Sequence, residues 1–252
     1  MLLATLLTCA VALSPNSADP DLWGHVQYGR DALAEGLPAT TSYSYTAEDY
    51  RWINHENLAE LLLAAGIDTI GPIGMLIAKC LLGVGLVSLI MLHAVRRGAA
   101  LLTVCAVALL VAVNLSYFWS MRPHVLSCLF YTLMLTLLSW CFAGWEGRCQ
   151  IPRLERDRLP DELEYSSRRL RYLWLAVPLF FLWANSHGGF VAGYCIYAAY
   201  LALRGFEAVV RNGRGAFGLL RRLTMMIVAA GLATLMASIV TPSTASNTSP
   251  GR

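Results

Sequence analysis

Uninterrupted apolar runs constrain this chain more than any other feature, because about 20 apolar residues in a helix cross the hydrocarbon core of a bilayer. Such runs cover residues 71–94, 99–118, 124–144, 172–206 and 223–241. The fourth run is too long for one crossing, and the polar stretch at 185–189 predicts a tight reversal between two helices. The sequence therefore predicts an all-α, polytopic transmembrane bundle with six of these spans.

Residues 2–13 form a shorter apolar segment, which as a helix at about 1.5 Å per residue reaches only about 20 Å,. No basic residue precedes it, which disfavours a secretory signal peptide,. We interpret it as a first span shortened by an incorrect or truncated start, which gives seven spans, and a signal-anchor is the alternative. Residues 1–241 then form one transmembrane domain, and the polar, aperiodic residues 242–252 are expected to be a disordered tail,.

Composition agrees with a membrane location, since 57% of the residues are hydrophobic and 14% are charged, against roughly a quarter charged in soluble domains,. The basic residues lie between apolar runs and are not interleaved with exposed aromatic side chains. This distribution argues against nucleic acid as a partner. The seven cysteines form no CxxC pair and lie mostly in apolar runs, so we expect them to be packing residues,.

The arginines predict the orientation of the bundle. If the loop with Arg96 and Arg97 is cytoplasmic, alternation places residues 145–171 and 204–222 there too. Fourteen of the 19 basic residues then lie on one side, as the positive-inside rule expects,. The opposite face receives one long loop and two tight turns, at residues 15–70, 119–123 and 185–189.

The loop at 15–70 is predicted to hold two short helices beside the membrane. Asp19-Pro20-Asp21 favours the start of the first, which runs through Glu35, because Asp caps helices and Pro suits their first position,. The second is predicted to start near Asn54, with apolar residues at i, i+3, i+4 and i+7, namely Leu58, Leu61, Leu62 and Ala65,. Such a helix lies in the membrane interface with its apolar side down.

The acid pair Asp19 and Asp21 has two interpretations. Two carboxylates so close can share a divalent cation, or one can act as a general base towards a hydroxyl acceptor while the other positions it. In the structural alternative, Asp19 caps a helix and Asp21 complements its dipole.

Other polar groups fall on the same face and come from separate segments, so bundling could bring them together. Ionisable groups near the hydrocarbon boundary are costly and often mark a substrate path. The candidate substrate-binding residues are His25, Trp52, His55, Glu56, Arg122, His124, Asn185 and His187.

Each of these candidates also has a structural alternative. The forked guanidinium of Arg122 can hold a phosphate, or it can reach lipid phosphates. Residues 54–56 can present hydrogen-bonding groups to an anionic head-group, or simply start a helix. His187 can satisfy the carbonyls of the preceding helix end, and Trp52 can belong to an aromatic belt. Lys79, inside a span, can snorkel or pair with an acid.

Five motifs that occur in order along residues 15–195 resemble a group of large bacterial membrane proteins: Asp19-Pro20-Asp21-Leu22-Trp23-Gly24-His25, Gly29-Arg30, Trp52-Ile53-Asn54-His55-Glu56, Met121-Arg122-Pro123-His124 and Trp183-Ala184-Asn185-Ser186-His187-Gly188-Gly189-Phe190. That group is similar to the polytopic C-type glycosyltransferases, which take sugars from polyprenyl-phosphate donors.

The resemblance implies a glycosyltransferase of a bacterial cytoplasmic (inner) membrane, acting on the extracytoplasmic face, with membrane lipids and a polyprenyl-phosphate sugar donor as partners. In the C-type enzymes an acidic motif of the first external loop carries the catalytic or metal-binding carboxylate, and Asp19 and Asp21 match that position. The one cofactor that this implies is a divalent cation at the pair. Arg122, with His55 or His124, is the candidate for holding the donor phosphate.

Two alternatives stay open. A non-enzymatic transporter or assembly subunit would need polar groups that continue through the spans, where only Lys79 and Asn114 offer them. A truncated, inactive fragment is the other, because members of the group continue with more spans where this chain runs into its polar tail.

Overall fold

The computed structural model describes residues 1–15, 19–41, 43–48, 50–52, 54–143, 145 and 167–239. Within these ranges the chain is helical apart from loops and one isolated β-bridge between Thr40 and Arg51. The helices are α1 (Leu2–Ala12), α2 (Asp21–Glu35), α3 (Asn57–Arg96), α4 (Leu101–Ser116), α5 (His124–Cys141), α6 (Ser167–Leu170), α7 (Ala176–Ala184), α8 (Phe190–Asn212) and α9 (Phe217–Ile239). Short 3-10 turns join α6 to α7 and α8 to α9.

The all-α prediction is confirmed for the described residues. Three segments among them are long and apolar enough to cross a membrane: Asn57–Arg96, His124–Cys141 and Gly213–Ala237. Helices α1 and α4 are apolar but shorter, at 11 and 16 residues, and α7, in the predicted run 172–206, has 9. These features indicate an integral membrane protein. The predicted cytoplasmic loop falls largely at 146–166 and the predicted tail at 242–252, and both lie outside the described residues.

Helix α3 combines the two segments that the sequence predicts separately. It bends at Gly71, whose φ of 69° glycine adopts without the strain that a side chain would cause,. Pro72 follows directly and lacks the N–H that would continue the hydrogen bonds of the helix,. The first arm, residues 57–70, starts three residues later than predicted, because Asn54 accepts the Glu56 amide in a turn before the helix. The second arm, residues 72–96, matches the predicted span. No loop separates the two arms.

The first arm of α3 packs against α2 through a face other than its leucine stripe. Its buried residues are Ala59, Glu60, Leu63 and Ala64, whereas Leu62, in the predicted apolar stripe, is 51% exposed. On α2, Leu22 and Val26 pack against Leu63. The stripe thus points away from α2, which leaves it available to a membrane interface.

Gly29 of α2 permits this close packing. A Cβ at Gly29 would lie 2.6 Å from the backbone carbonyl carbon of Glu60 and 2.8 Å from the Ala64 Cβ. Backbone atoms cannot rotate away, so any side chain here must push the two helices apart.

Gly29→Ala should therefore destabilise the protein by about 1–3 kcal/mol, although alanine favours helix by about 0.5–1 kcal/mol over glycine. Gly24→Ala is the matched control on the same helix, because its nearest neighbour would be the Tyr28 ring at 3.8 Å. Thermal unfolding of both variants in detergent measures the difference. Equal melting temperatures would contradict the close contact at Gly29.

Besides the small cluster between α2 and α3, two larger hydrophobic clusters lie among the described residues. One joins α1, the second arm of α3 and α4, and the other joins α5 to α9. Helix α5 bridges them, since Val125 belongs to the first cluster while Phe130 and Met134 belong to the second.

Lys79 ties three segments together inside the first cluster. The side chain is buried, and its Nζ donates to the carbonyl oxygens of Pro15 at 2.8 Å and Trp119 at 2.9 Å. The expectation that Lys79 snorkels or pairs with an acid is wrong, because the backbone carbonyls of Pro15, after α1, and Trp119, after α4, take its hydrogen bonds instead.

Polar groups at the far end of the second arm pair with α5. Arg97 donates to the Ser139 carbonyl at 2.9 Å, and His93 contacts the Ser139 hydroxyl at 2.5 Å. Arg204 of α8 donates to the Trp145 carbonyl and to Glu207. These groups lie at the opposite end of their helices from residues 13–15, 117–123 and 185–189.

Candidate functional site

A cavity of about 700 Å³ opens between α2, the start of α3 and the turns that follow α4 and α7. Thirteen residues line it: Asp19, Asp21, Gly24, His25, Tyr28, Glu56, Tyr117, Phe118, Ser120, Arg122, Pro123, His124 and His187. Seven of the ten residues that the sequence singles out are among them. Four separate chain segments supply these seven, as bundling of the helices predicts.

Arg122 binds both members of the acid pair. Its Nη1 lies 3.0 Å from Asp19 Oδ2, and its Nη2 bonds Asp21 Oδ2. One guanidinium therefore spans two carboxylates that are held two residues apart at the start of α2. The predicted catalytic acids, Asp19 and Asp21, therefore form ion pairs with the predicted phosphate-binding residue, Arg122.

The two acids differ in their surroundings. Asp19 uses both oxygens, because Oδ1 accepts the Asp21 backbone N–H at 3.0 Å while Oδ2 faces Arg122. Its side chain is 16% exposed, whereas that of Asp21 is 59% exposed at the cavity rim. The structural interpretation of Asp19 as a residue that organises the helix start is supported by its bond to Asp21. Asp19 therefore organises the start of α2 with one carboxylate oxygen and binds Arg122 with the other.

Glu60 joins the site from the buried face of α3, and the sequence analysis missed it. Its Oε1 lies 3.2 Å from Nδ1 of His25, and its Oε2 accepts the Asn54 amide at 2.5 Å. The hydrogen bond to Glu60 raises the pKa of His25, against an opposing effect of burial. Asn54 fixes the carboxylate by bonding both Glu60 and the Glu56 backbone.

Glu56 stands between three imidazoles. Its carboxylate oxygens lie 3.8 Å from His25 Nδ1, 3.9 Å from His55 Nε2 and 3.9 Å from His187 Nε2. These separations exceed hydrogen-bond length. The Glu56 side chain is 20% exposed, so it is largely withdrawn from bulk solvent.

His187 is held by a chain of hydrogen bonds that fixes its tautomer. Trp183 Nε1 donates to Ser127 Oγ at 2.7 Å, and Ser127 Oγ lies 2.8 Å from His187 Nδ1. The Gly189 N–H also donates to Nδ1, at 3.1 Å. Because Nδ1 is an acceptor, the proton of the neutral ring sits on Nε2, which faces Glu56. Burial, followed by neighbouring positive groups, lowers the pKa of His187 and favours this neutral form.

His124 begins α5 and closes the turn before it. Its Nε2 lies 2.6 Å from the Phe118 carbonyl, so this nitrogen is the donor of the neutral ring,. The ring still lines the cavity, 6.4 Å from the His187 ring centroid.

Three predicted binding residues do not line the cavity. Trp52 packs 5.8 Å from the rings of both Tyr28 and Tyr43. Asn185 bonds back to its own helix at the Phe181 carbonyl, and its own carbonyl accepts the Leu58 N–H, which docks this turn on α3. His55 is 55% exposed and contributes only through its approach to Glu56.

No family model, curated protein or solved structure matches this chain. The resemblance to C-type glycosyltransferases therefore rests on the motifs alone.

Proposed function

We propose that the protein is a membrane glycosyltransferase that takes a sugar from a polyprenyl-phosphate donor at the extracytoplasmic face of a bacterial cytoplasmic membrane. The observation that carries the proposal is the convergence of Asp19, Asp21 and Arg122 in one cavity at the ends of membrane-length helices. A general base and a phosphate-binding cation are the two groups that such a transfer needs.

The ion pairs give these groups a defined order of action. Arg122 is already neutralised by two acids, so a donor phosphate must displace one of them to bind the guanidinium. Asp21 is the acid to be displaced, because it is the more exposed and Asp19 is held at both oxygens. Binding of the donor would thus free the Asp21 carboxylate next to the phosphate.

The freed carboxylate then acts as the base. Asp21 accepts the proton of an acceptor hydroxyl, whose oxygen attacks the anomeric carbon of the sugar. The bond from that carbon to the phosphate oxygen breaks, and polyprenyl phosphate leaves with its charge held by Arg122. Asp19 keeps the guanidinium in place throughout. His187, as a neutral Nε2–H donor, is positioned to bond a sugar hydroxyl.

The orientation follows from the arginines. Arg96 and Arg97 end the second arm of α3, opposite the cavity, and the positive-inside rule places that end in the cytoplasm,. Six or seven spans would then present the acid pair, both turns and the first arm of α3 on the outer surface. The apolar stripe of that arm would rest in the interface, where a lipid-linked donor presents its phosphate.

Donor turnover tests the proposal. Purified protein in lipid nanodiscs is supplied with radiolabelled polyprenyl-phosphate sugars and with bacterial membranes as a source of acceptors. We expect Asp19→Asn plus Asp21→Asn to abolish donor consumption. Asp68→Asn, which removes an acid paired with Arg30 outside the cavity, should leave it unchanged. Transfer that survives the double substitution, or no consumption by the wild type with any donor, would overturn the proposal.

A further inference from the structure

We propose that His25, Glu56 and Glu60 form a binding site for one divalent transition-metal ion such as Mn²⁺. Each residue offers a ligand atom, and these three atoms lie within 4.8 Å of one another. The inference is independent of sugar transfer, since it concerns only what the residues bind.

The spacing of the ligand atoms supports a shared ion. His25 Nδ1 lies 3.2 Å from Glu60 Oε1 and 3.8 Å from Glu56 Oε2. A cation bound at about 2.0–2.2 Å holds neighbouring ligands about 3.0–3.5 Å apart, so only small rotations of the Glu56 side chain are needed. All three side chains are at most 20% exposed.

The charge balance of the cavity also favours a cation. The carboxylates of Asp19, Asp21 and Glu56 line it, with Glu60 buried behind His25, and Arg122 is the one arginine or lysine among the lining residues described. Arg122 pairs with the aspartates, whereas the described partners of the two glutamates are imidazoles and the Asn54 amide. A bound divalent ion compensates both carboxylates.

The position of Arg122 favours a cation site at His25 and the glutamates over the site at Asp19 and Asp21 that the sequence suggests. The guanidinium holds Oδ2 of each aspartate, and its charge repels a second cation there. Among the described residues, Arg122 forms its ion pairs with these aspartates and not with Glu56 or Glu60.

The ligand set selects the class of metal. One imidazole nitrogen with two carboxylates suits first-row transition ions, including Mn²⁺, which accept mixed nitrogen and oxygen ligands, more than Mg²⁺ or Ca²⁺, which prefer oxygen alone. Binding at Nδ1 releases the proton that this nitrogen shares with Glu60, and the Asn54 amide keeps the Glu60 carboxylate oriented from outside,.

Mn²⁺ binding to the full chain in nanodiscs tests the site. Mn²⁺ is the probe because its weak affinity for thiols keeps the cysteines from competing. Titration followed by electron paramagnetic resonance counts free Mn²⁺, and electron spin echo modulation of the frozen complex detects a directly bound nitrogen. We expect one ion per chain with nitrogen coupling in the wild type.

Matched variants assign the ligands. Glu56→Gln and Glu60→Gln should each weaken Mn²⁺ binding by at least about 10–100-fold, while His25→Gln should remove the nitrogen coupling. Asp19→Asn plus Asp21→Asn should keep one bound ion with nitrogen coupling. Failure of the wild type to bind Mn²⁺, or binding without nitrogen coupling, would overturn the site. These two measurements use the wild type alone, so they hold even if a variant at a buried ligand misfolds. Loss of binding in the aspartate variant alone would also overturn the site.

Discussion

Replacing Arg122 with glutamine should lower donor turnover by about 10²–10³-fold, the effect typical of removing one preorganised group that stabilises developing negative charge. Two consequences add together here. The departing phosphate loses its cation, and Asp19 and Asp21 lose the guanidinium that holds them in register. Turnover of labelled donor at saturating concentration measures the effect.

Lysine at position 122 tests whether turnover depends on the positive charge alone or also on the forked geometry of the guanidinium. Arg122→Lys keeps the positive charge but cannot span two carboxylates with parallel donors. We expect turnover between those of the wild type and the glutamine variant, with the larger loss in kcat/KM.

Arg30→Gln is the control for charge. Arg30 also forms a forked pair with an aspartate, Asp68, but outside the cavity and in an exposed position. It should leave turnover unchanged. Equal losses in the Arg30 and Arg122 variants would mean that overall charge, and not the cavity, controls the rate.

Lys79→Met should lower stability by about 1–3 kcal/mol. The substitution removes the donor to the carbonyls of Pro15 and Trp119, and the Trp119 carbonyl then lies buried without a partner, which costs about 1–3 kcal/mol,. Because the two carbonyls precede Asp19 and Arg122 in the chain, turnover should fall together with the melting temperature. Thermal unfolding in detergent gives the stability change.

Asn114→Leu provides the comparison for Lys79→Met. Asn114 is also a polar residue in an apolar helix, but its side chain is exposed and its amide donates to the Leu110 carbonyl of the same helix turn. Its replacement should leave melting within about 0.5 kcal/mol of the wild type. A similar loss in both variants would show that the hydrogen bonds of Lys79 do not account for its contribution to stability.

The helices were predictable because their signals are local. The reversal near residues 185–189, the start of α2 at Asp21 and the arms on either side of Gly71 all follow from apolar length and turn residues. The count of spans is less accessible, because α1, α4 and α7, at 11, 16 and 9 residues, fall short of a full crossing,.

The candidate site was predictable as a set of residues but not as a set of contacts. Asp21 and Arg122 are 101 residues apart, and no spacing rule reports that they bind one another. Glu60 was missed because an acid on an amphipathic helix normally faces water, and here Gly29 lets α2 cover it. Ser127 was missed because a serine within an apolar run is usually a packing residue.

The bend at Gly71 joins the first arm of α3 directly to a second arm of membrane length, with Glu60 on one side and Lys79 on the other. A helix that is longer or shorter than the local hydrocarbon thickness responds by tilting. With no linker to absorb that tilt, the first arm must swing with the second. Because α2 packs on the first arm through Gly29, a change in acyl-chain length would move His25 and the glutamates together relative to Arg122.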